Sequence, residues 1–326
     1  MERKTFTAIG MGLHPGLVRM SKNGGLPNFF LIGAAKSGTT ALYDLLAQHP
    51  QVYLPYVKEP TFFNNDNNFK RGINWYVKTY FKNAGNFPAR GEATPHYLYW
   101  GEKVASRIQQ VCNPSEVKFI AIFRDPVKRA YSQYWMDVQR EVEWLPFTDA
   151  LTAEDRRLIE MRLELESAGL LKYGYYRGGC YATLLQPYLK RFHRDQFHFL
   201  LQEDLQENFD SAMESLMEFL GLKSVYEFKP VTSNPAYVPR SHSLQHFILY
   251  RSEMIKKPIK GLFRLLPESF RHSLRKRMIQ ANRRPQSYPP MDVNEEHLLR
   301  GRYHDEIQKL EEILHRDLGQ WQQEAT

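Results

Sequence analysis

The stretch PNFFLIGAAKSGTTALYDLLAQHP, residues 27–50, decides the fold. An apolar run, Phe29-Phe30-Leu31-Ile32, passes directly into Gly33-Ala34-Ala35-Lys36-Ser37-Gly38-Thr39-Thr40. A helical pattern follows, with Leu42, Leu45 and Leu46 on one face, stopped before Pro50. Strand, small-residue loop and helix together make an anion cradle. Loop N–H groups and the positive helix N-terminus converge on one spot. Gly33 and Gly38 let the backbone curl, and Lys36 adds a cation beside two hydroxyls. A tight turn in an ordinary α/β protein is the alternative reading of this stretch alone.

The Walker A pattern of nucleoside triphosphatases requires Gly, four residues, Gly, Lys, then Ser or Thr. Gly33 and Gly38 have that spacing, but Thr39 stands in the lysine position and the lysine lies inside the loop as Lys36. The loop therefore suits a phosphate-like group without the usual clamp for γ-phosphoryl transfer.

A second cluster follows the apolar strand KFIAIF at 118–123, whose unbroken hydrophobicity suits a parallel strand buried on both faces. Asp125-Pro126 makes an N-cap and first-turn pair for a helix carrying Arg129, Ser132, Tyr134 and Trp135. The strand ends in Arg124 rather than a magnesium-holding acid. Arg124 and Ser132 then suit a second phosphate. A third cluster, Asn282-Arg283-Arg284-Pro285, puts two arginines on a proline-stiffened loop. Two separated anion sites and a basic loop describe a ligand phosphorylated at both ends.

The rest of the chain continues the alternation. Strands are expected at 51–54, 89–93 and 197–201. Helices are expected over much of 146–195, over 209–220 with Gly221 as its cap, and from Asp292 through Leu299, Tyr303, Ile307, Leu310 and Leu314. Residues 64–74, with five asparagines, read as a polar loop. This pattern predicts a three-layer, P-loop-like α/β fold with a mainly parallel central sheet flanked by helices. Residues 1–26 read as a flexible tail, with a signal peptide as the alternative, and 27–326 as one domain.

The 326 residues suffice for a sizeable core, and 42% hydrophobic with 25% charged residues is ordinary for a globular protein. Two cysteines, Cys112 and Cys180, exclude a disulfide scaffold and fit a reducing compartment. No run approaches the ~20 apolar residues of a membrane span. Residues 256–284 hold ten Lys or Arg against the single acid Glu268, which more than accounts for the net +8. A charge this local excludes a general nucleic-acid binder. It suits an anionic ligand or acceptor, a peripheral membrane contact, or simply a solvated helix face.

These motifs, in this order, resemble the sulfotransferases that use 3′-phosphoadenosine 5′-phosphosulfate (PAPS). Residues 32–42 resemble that family's 5′-phosphosulfate loop, and Phe123-Arg124-Asp125-Pro126 through Arg129-Ala130-Tyr131-Ser132 its 3′-phosphate site. Lys58-Glu59-Pro60 before Phe62-Phe63, Gly91-Glu92-Ala93-Thr94-Pro95, Gly179-Cys180-Tyr181 and Tyr288-Pro289-Pro290-Met291-Asp292 also match. The likeness spans residues 27–321 and is nearest the heparan-sulfate and bacterial branch.

The resemblance implies a sulfuryl transfer with PAPS as donor, PAP as product and no metal. It implies Lys36 at the bridging oxygen and Ser37, Gly38, Thr39 and Thr40 at the 5′-phosphate. Arg124 and Ser132 would hold the 3′-phosphate, with Arg284 and Arg283 closing over it within a 256–290 basic segment. Tyr181 would line the adenine pocket. Glu59 matches the general base, though on its own it also reads as a surface carboxylate paired with Lys58. His96 competes for the same role, or is a hydrogen-bonded structural histidine. Ala93 departs from the lysine that many polysaccharide sulfotransferases carry there. The cysteine-bridged loop and membrane anchor of some Golgi members have no counterpart. The expectation is a soluble, cytoplasmic enzyme acting on a small metabolite or saccharide, with specificity set by loops at 64–74, 138–177 and 231–271. A nucleotide kinase and a non-catalytic binder of PAP or an anionic polymer are the rival functions, and the sequence leaves oligomeric state open.

Overall fold

The structure is a computed structural model that describes residues 25–169, 172–222, 226–229, 231, 237–239, 277–278, 281–285 and 288–323, with backbone only for 237–239 and 283–285. The tail at 1–24, nearly all of the loop at 231–271 and most of the basic segment at 256–284 lie outside the described residues.

In chain order the elements begin with β1 (Phe29–Gly33), α1 (Thr39–Leu46), β2 (Val52–Tyr53), α2 (Asp66–Phe69), α3 (Ile73–Tyr80) and β3 (Ala89–Ala93). There follow α4 (His96–Tyr99), α5 (Gly101–Val111), β4 (Lys118–Phe123), α6 (Pro126–Gln139), α7 (Phe147–Glu160) and α8 (Arg162–Ala168). The last are α9 (Tyr181–Leu189), β5 (Phe197–Leu201), α10 (Asp204–Glu207), α11 (Phe209–Leu220), β6 (Tyr237–Pro239), β7 (Arg283–Pro285) and α12 (Val293–Leu314). Strands β1 to β5 form one sheet in the order β2-β3-β1-β4-β5, with every pairing parallel. β6 and β7 form a separate antiparallel pair.

Side-chain alternation along the strands builds the three layers. Phe29, Leu31, Ile120 and Ile122 face one side, where Leu42, Leu45 and Leu46 of α1 and Met213, Leu216 and Met217 of α11 cover them. Phe30, Ile32, Phe119, Ala121 and Phe123 face the other, under α4, α5, α6, α9 and α12. β3 has little apolar character of its own. At Gly91 a Cβ would lie 2.2 Å from the ring of Phe29, its register partner, so the missing side chain is what admits that ring.

The helix ends follow the residues that cap them. Asp125 accepts from Val127 N at 2.8 Å and Lys128 N at 3.3 Å. Asp292 does the same for Asn294 and Glu295, and Gly221 ends α11 at φ +76°. The polar loop expected at 64–74 is instead largely helical. Asn65 caps α2 by accepting from Asn68 N at 3.0 Å, and α3 starts within the stretch at Ile73. Asn64 and Asn65 donate to the carbonyls of Gly169 and Ala168, at 2.8 and 3.1 Å. The asparagines there are caps and long-range ties, which local composition does not distinguish from loop formers.

Candidate active site

β1 and β4 are neighbours, yet the helices that follow them go to opposite faces: α1 to one core and α6 to the other. A crevice therefore opens at the carboxyl ends of these strands, the place where parallel sheets bind ligands. Residues 34–40 form its floor. Ala34 N donates to Ile122 O at 2.8 Å, which ties the loop to β4. Gly38 occupies the N-cap of α1 at φ +102° with no capping side chain, and the first turn holds no acid. The leading N–H groups of α1 are thus directed at the crevice.

Lys36 stands over this floor with its own backbone at φ +73°, a left-handed conformation unusual for a side-chain-bearing residue. Its Nζ lies 3.6 Å from Met136 Sδ on α6. Burial foremost, and then the charges of Arg140, Arg124 and Arg129, hold its ammonium down at about 8 against an ordinary 10.5, with Asp137 opposing. Four cations converge here, and such a cluster calls for an anion.

Arg124 extends from the end of β4, with Nη1 3.4 Å from the Lys36 carbonyl. Ser132 is buried two turns into α6. Tyr181, which the sequence placed against adenine, is buried and donates its hydroxyl to the Arg124 carbonyl at 3.0 Å, with its ring 4.8 Å from that of Phe123. It fixes the backbone from which Arg124 reaches out. Arg283 and Arg284 lie on β7, and their side chains fall outside the described residues. Just beyond, Tyr288 stacks on Trp135 at 5.9 Å and Tyr131 donates to Pro289 O at 3.0 Å, so this segment does return to the helix that carries Ser132.

Arg129 received no role from the sequence. It is fully buried and bridges two segments: Nε donates to Ala35 O at 3.1 Å, and Nη1 to Gly174 O and Tyr175 O at 3.1 and 2.9 Å. Gly178 lies flat against it, where a Cβ would be 2.3 Å from Nη1. Its signals in the sequence are its position one helical turn beyond the N-cap Asp125 and its place in the stretch that resembles the 3′-phosphate site.

Residues 58–59 close the crevice from the β3 side. Glu59 N donates to Ala93 O at 3.1 Å, and Glu59 holds φ +62°. Lys58 Nζ donates to Thr40 Oγ1 at 2.7 Å and lies 3.5 Å from Glu59 Oε1. Glu59 is thus a carboxylate paired with Lys58, which is itself docked on Thr40, where the loop that follows β1 enters α1. Burial pushes the Lys58 ammonium down, and Glu59 opposes that.

His96 opens α4, with Nδ1 3.3 Å from Gly169 O. A carbonyl only accepts, so Nδ1 carries the proton and Nε2 the lone pair. Burial lowers its basicity and the Glu59 charge works against that, which places carboxylate and imidazole within each other's field. Asn64 shares the Gly169 carbonyl, and its Oδ1 is buried without a partner among the described residues. Glu92 lies on β3 opposite Phe30 of β1. It is fully buried, accepts from Tyr76 Oη at 2.7 Å, and burial pushes it up to about 7. Ala93, beside it, is packed in the core opposite Leu31. Among the described residues no group of three or more His, Cys, Asp or Glu is placed to hold a metal ion, and no helix is long and apolar enough to cross a membrane.

A parallel-sheet protein with a cationic cradle at one end of the crevice and a carboxylate beside a neutral imidazole facing it belongs to the class that moves a charged group from a phosphorylated donor. More narrowly, the chain belongs to the sulfotransferase family, whose sulfotransferase domain matches residues 26–236. It is similar to the human bifunctional heparan sulfate N-deacetylase/N-sulfotransferase 3, at 29% identity over 312 residues, covering 90% of this chain and 30% of that protein. It is similar also to mouse heparan sulfate glucosamine 3-O-sulfotransferase 3B1, at 31% identity over 202 residues, covering 61% of this chain and 47% of that one. The chain thus spans less than half the length of these relatives. It shares its fold with a sulfotransferase from Alicyclobacillus acidocaldarius, with a TM-score of 0.61 and 23% identity over 91% of this chain and 99% of the other.

Proposed function

We propose that the protein transfers the sulfuryl group of PAPS to an acceptor hydroxyl, or to an amine, with Glu59 as general base. One observation carries the reading. The loop that carries Lys36 and the segment that carries Glu59 are tied together by Lys58, whose Nζ donates to Thr40 Oγ1 at 2.7 Å and lies 3.5 Å from Glu59 Oε1. Donor-binding and proton-accepting residues are thereby fixed relative to each other, as an in-line displacement requires.

In this reading Glu59 removes the acceptor proton as the acceptor oxygen bonds to sulfur. The bond from sulfur to the bridging oxygen breaks, and its electrons go to the 5′-phosphate of PAP. Lys36 and the N-terminus of α1 neutralise the charge that develops there. Arg124 and Ser132 hold the 3′-phosphate. His96, neutral and with Nε2 free to accept, orients the acceptor. Two relatives named for heparan sulfate support a saccharide acceptor over a small metabolite.

The test follows transfer of labelled sulfate from PAPS to N-deacetylated heparosan and to a panel of small alcohols and amines. Glu59→Gln is expected to lower the rate by about 100-fold or more with PAP affinity unchanged. Transfer that survives Glu59→Gln but is abolished by His96→Ala would move the base to the histidine.

A further inference from the structure

Lys58 holds one contact on each side of the crevice. Its Nζ donates to Thr40 Oγ1 at 2.7 Å and lies 3.5 Å from Glu59 Oε1, and its side chain is only 20% exposed. An ammonium has three N–H donors. Two are directed at these oxygens, and the third meets no protein acceptor among the described residues. Thr40 accepts from Lys58, so its own hydroxyl hydrogen is left to donate as well. The backbone beside Lys58 is fixed. Glu59 takes φ +62° and its N–H donates to Ala93 O at 3.1 Å, and Thr61 takes φ +51°.

The location is a poor one for a cation. Thr40 stands in the first turn of α1, the positive end of that helix, where no side chain caps the N–H groups and no acid is present. The ion-pair partner, Glu59, is itself 39% exposed, so the pair alone is weakly held. The end of β3 beside it is Ala93, packed in the core, and brings no cation. A lysine kept here is placed for an anion that the protein itself does not supply. The two contacts indicate which part of the anion that is. In the proposed reaction the loop ending at Thr40 holds the 5′-phosphate, and Glu59 takes the acceptor proton. The group that travels between them passes the Lys58 ammonium, which is within hydrogen-bond distance of the first residue and 3.5 Å from the second.

We propose that Lys58 is a catalytic residue whose third N–H binds an oxygen of the sulfuryl group, between the phosphate cradle and the base. This rests on PAPS being the donor and Glu59 the base. The bond from sulfur to the bridging oxygen breaks, the bond from sulfur to the acceptor forms, and the acceptor proton goes to Glu59. Lys58 keeps its three protons throughout and neutralises the sulfuryl oxygens, while Lys36 neutralises the leaving phosphate oxygen.

PAPS and PAP differ only by the sulfuryl group, so comparing them isolates its contacts without knowledge of the acceptor. Affinities for both are measured by calorimetry on the full chain as wild type, Lys58→Met and Lys58→Arg, and again with Glu59→Gln in each. PAPS affinity should fall about tenfold in Lys58→Met and recover largely in Lys58→Arg, in line with the loss of one charge-assisted hydrogen bond. PAP affinity should stay within about threefold of wild type, since the bond to Thr40 is the only link from Lys58 to the phosphate. The selective loss of PAPS should persist when Glu59 is glutamine. Equal losses for PAP and PAPS, or no loss for either, would overturn the assignment of Lys58 alone. So would a loss that disappears with Glu59→Gln, because Lys58 would then only screen the carboxylate. A wild-type protein that binds neither nucleotide would overturn the donor reading and this inference with it.

Discussion

Lys36→Met is expected to make the ligand-free protein more stable while removing its function. The ammonium is held at about 8 against an ordinary 10.5 because burial and three arginines oppose its charge. At 1.36 kcal/mol per pH unit this disfavours the charged folded state by about 3 kcal/mol, and by about 2 after allowance for the solvent that reaches the crevice. Methionine keeps the length of the side chain and removes the charge. Urea denaturation at pH 7 should therefore show the variant about 2 kcal/mol more stable than wild type.

The sign with pH is determined. Below about 8 the lysine is charged in both the folded and the unfolded chain, and the full penalty applies. Between about 8 and 10.5 the folded chain has released the proton and the unfolded chain has not, so wild type gains on the variant as pH rises. At pH 10 the two should nearly coincide. Stabilisation by added PAP, about 2.7 kcal/mol at a hundredfold excess over Kd in wild type, should be much reduced in the variant. A variant less stable than wild type at pH 7, or an advantage that does not shrink with pH, would refute the account of repelled cations.

Three further outcomes follow from buried groups. Gly178→Ala would force a Cβ to 2.3 Å from Arg129 Nη1, which the carbonyls of Gly174 and Tyr175 hold in place, and is expected to lose about 1–3 kcal/mol in denaturant titration. Asp125→Ala removes the cap of α6 and the buried partner of Arg300 at 3.4 Å, an expected loss of about 2–4 kcal/mol. In a double-mutant cycle with Arg300→Met about 1 kcal/mol or more of that should be non-additive. Burial raises the Glu92 carboxyl from an ordinary 4.5 to about 7, so folding favours its proton and wild-type stability should fall as pH rises through that window. Glu92→Gln, followed by thermal melts from pH 4 to 8, should flatten that slope.

The parts of the site that could be read from sequence are those set by neighbours in the chain. Lys36 to Thr40 follow β1 directly and Arg124 follows β4, and each of these strands is spelled as an apolar run buried on both faces. Two adjacent parallel strands bring their ends together, so the two clusters meet once the strands are placed. What could not be read depends on distant contacts. The proton on His96 is assigned by Gly169, 73 residues away, and Asn64 and Asn65 just before α2 are tied to carbonyls more than a hundred residues away. Arg129 carries a side chain of the kind that binds ligands, yet it donates to the backbone carbonyls of Ala35, Gly174 and Tyr175. Residue type alone does not separate a binding group from one that braces it.

Backbone strain and charge repulsion coincide in this molecule. Among the described residues six non-glycines have positive φ, and five of them, Lys36, Glu59, Thr61, Glu141 and Tyr173, lie in the segments that frame the crevice. Each is worth roughly 1–3 kcal/mol of strain. The cations around Lys36 add their mutual repulsion at the same place. At Lys36 three arginines oppose the ammonium and Asp137 favours it. The rest of the fold, two apolar layers against a five-stranded sheet, imposes this unfavourable local geometry. A multiply charged anion relieves the electrostatic part on binding, and the fixed backbone means that little further ordering is needed when it does. The lowered basicity of Lys36 in the free protein is therefore a measure of how strongly the crevice is preorganised for negative charge.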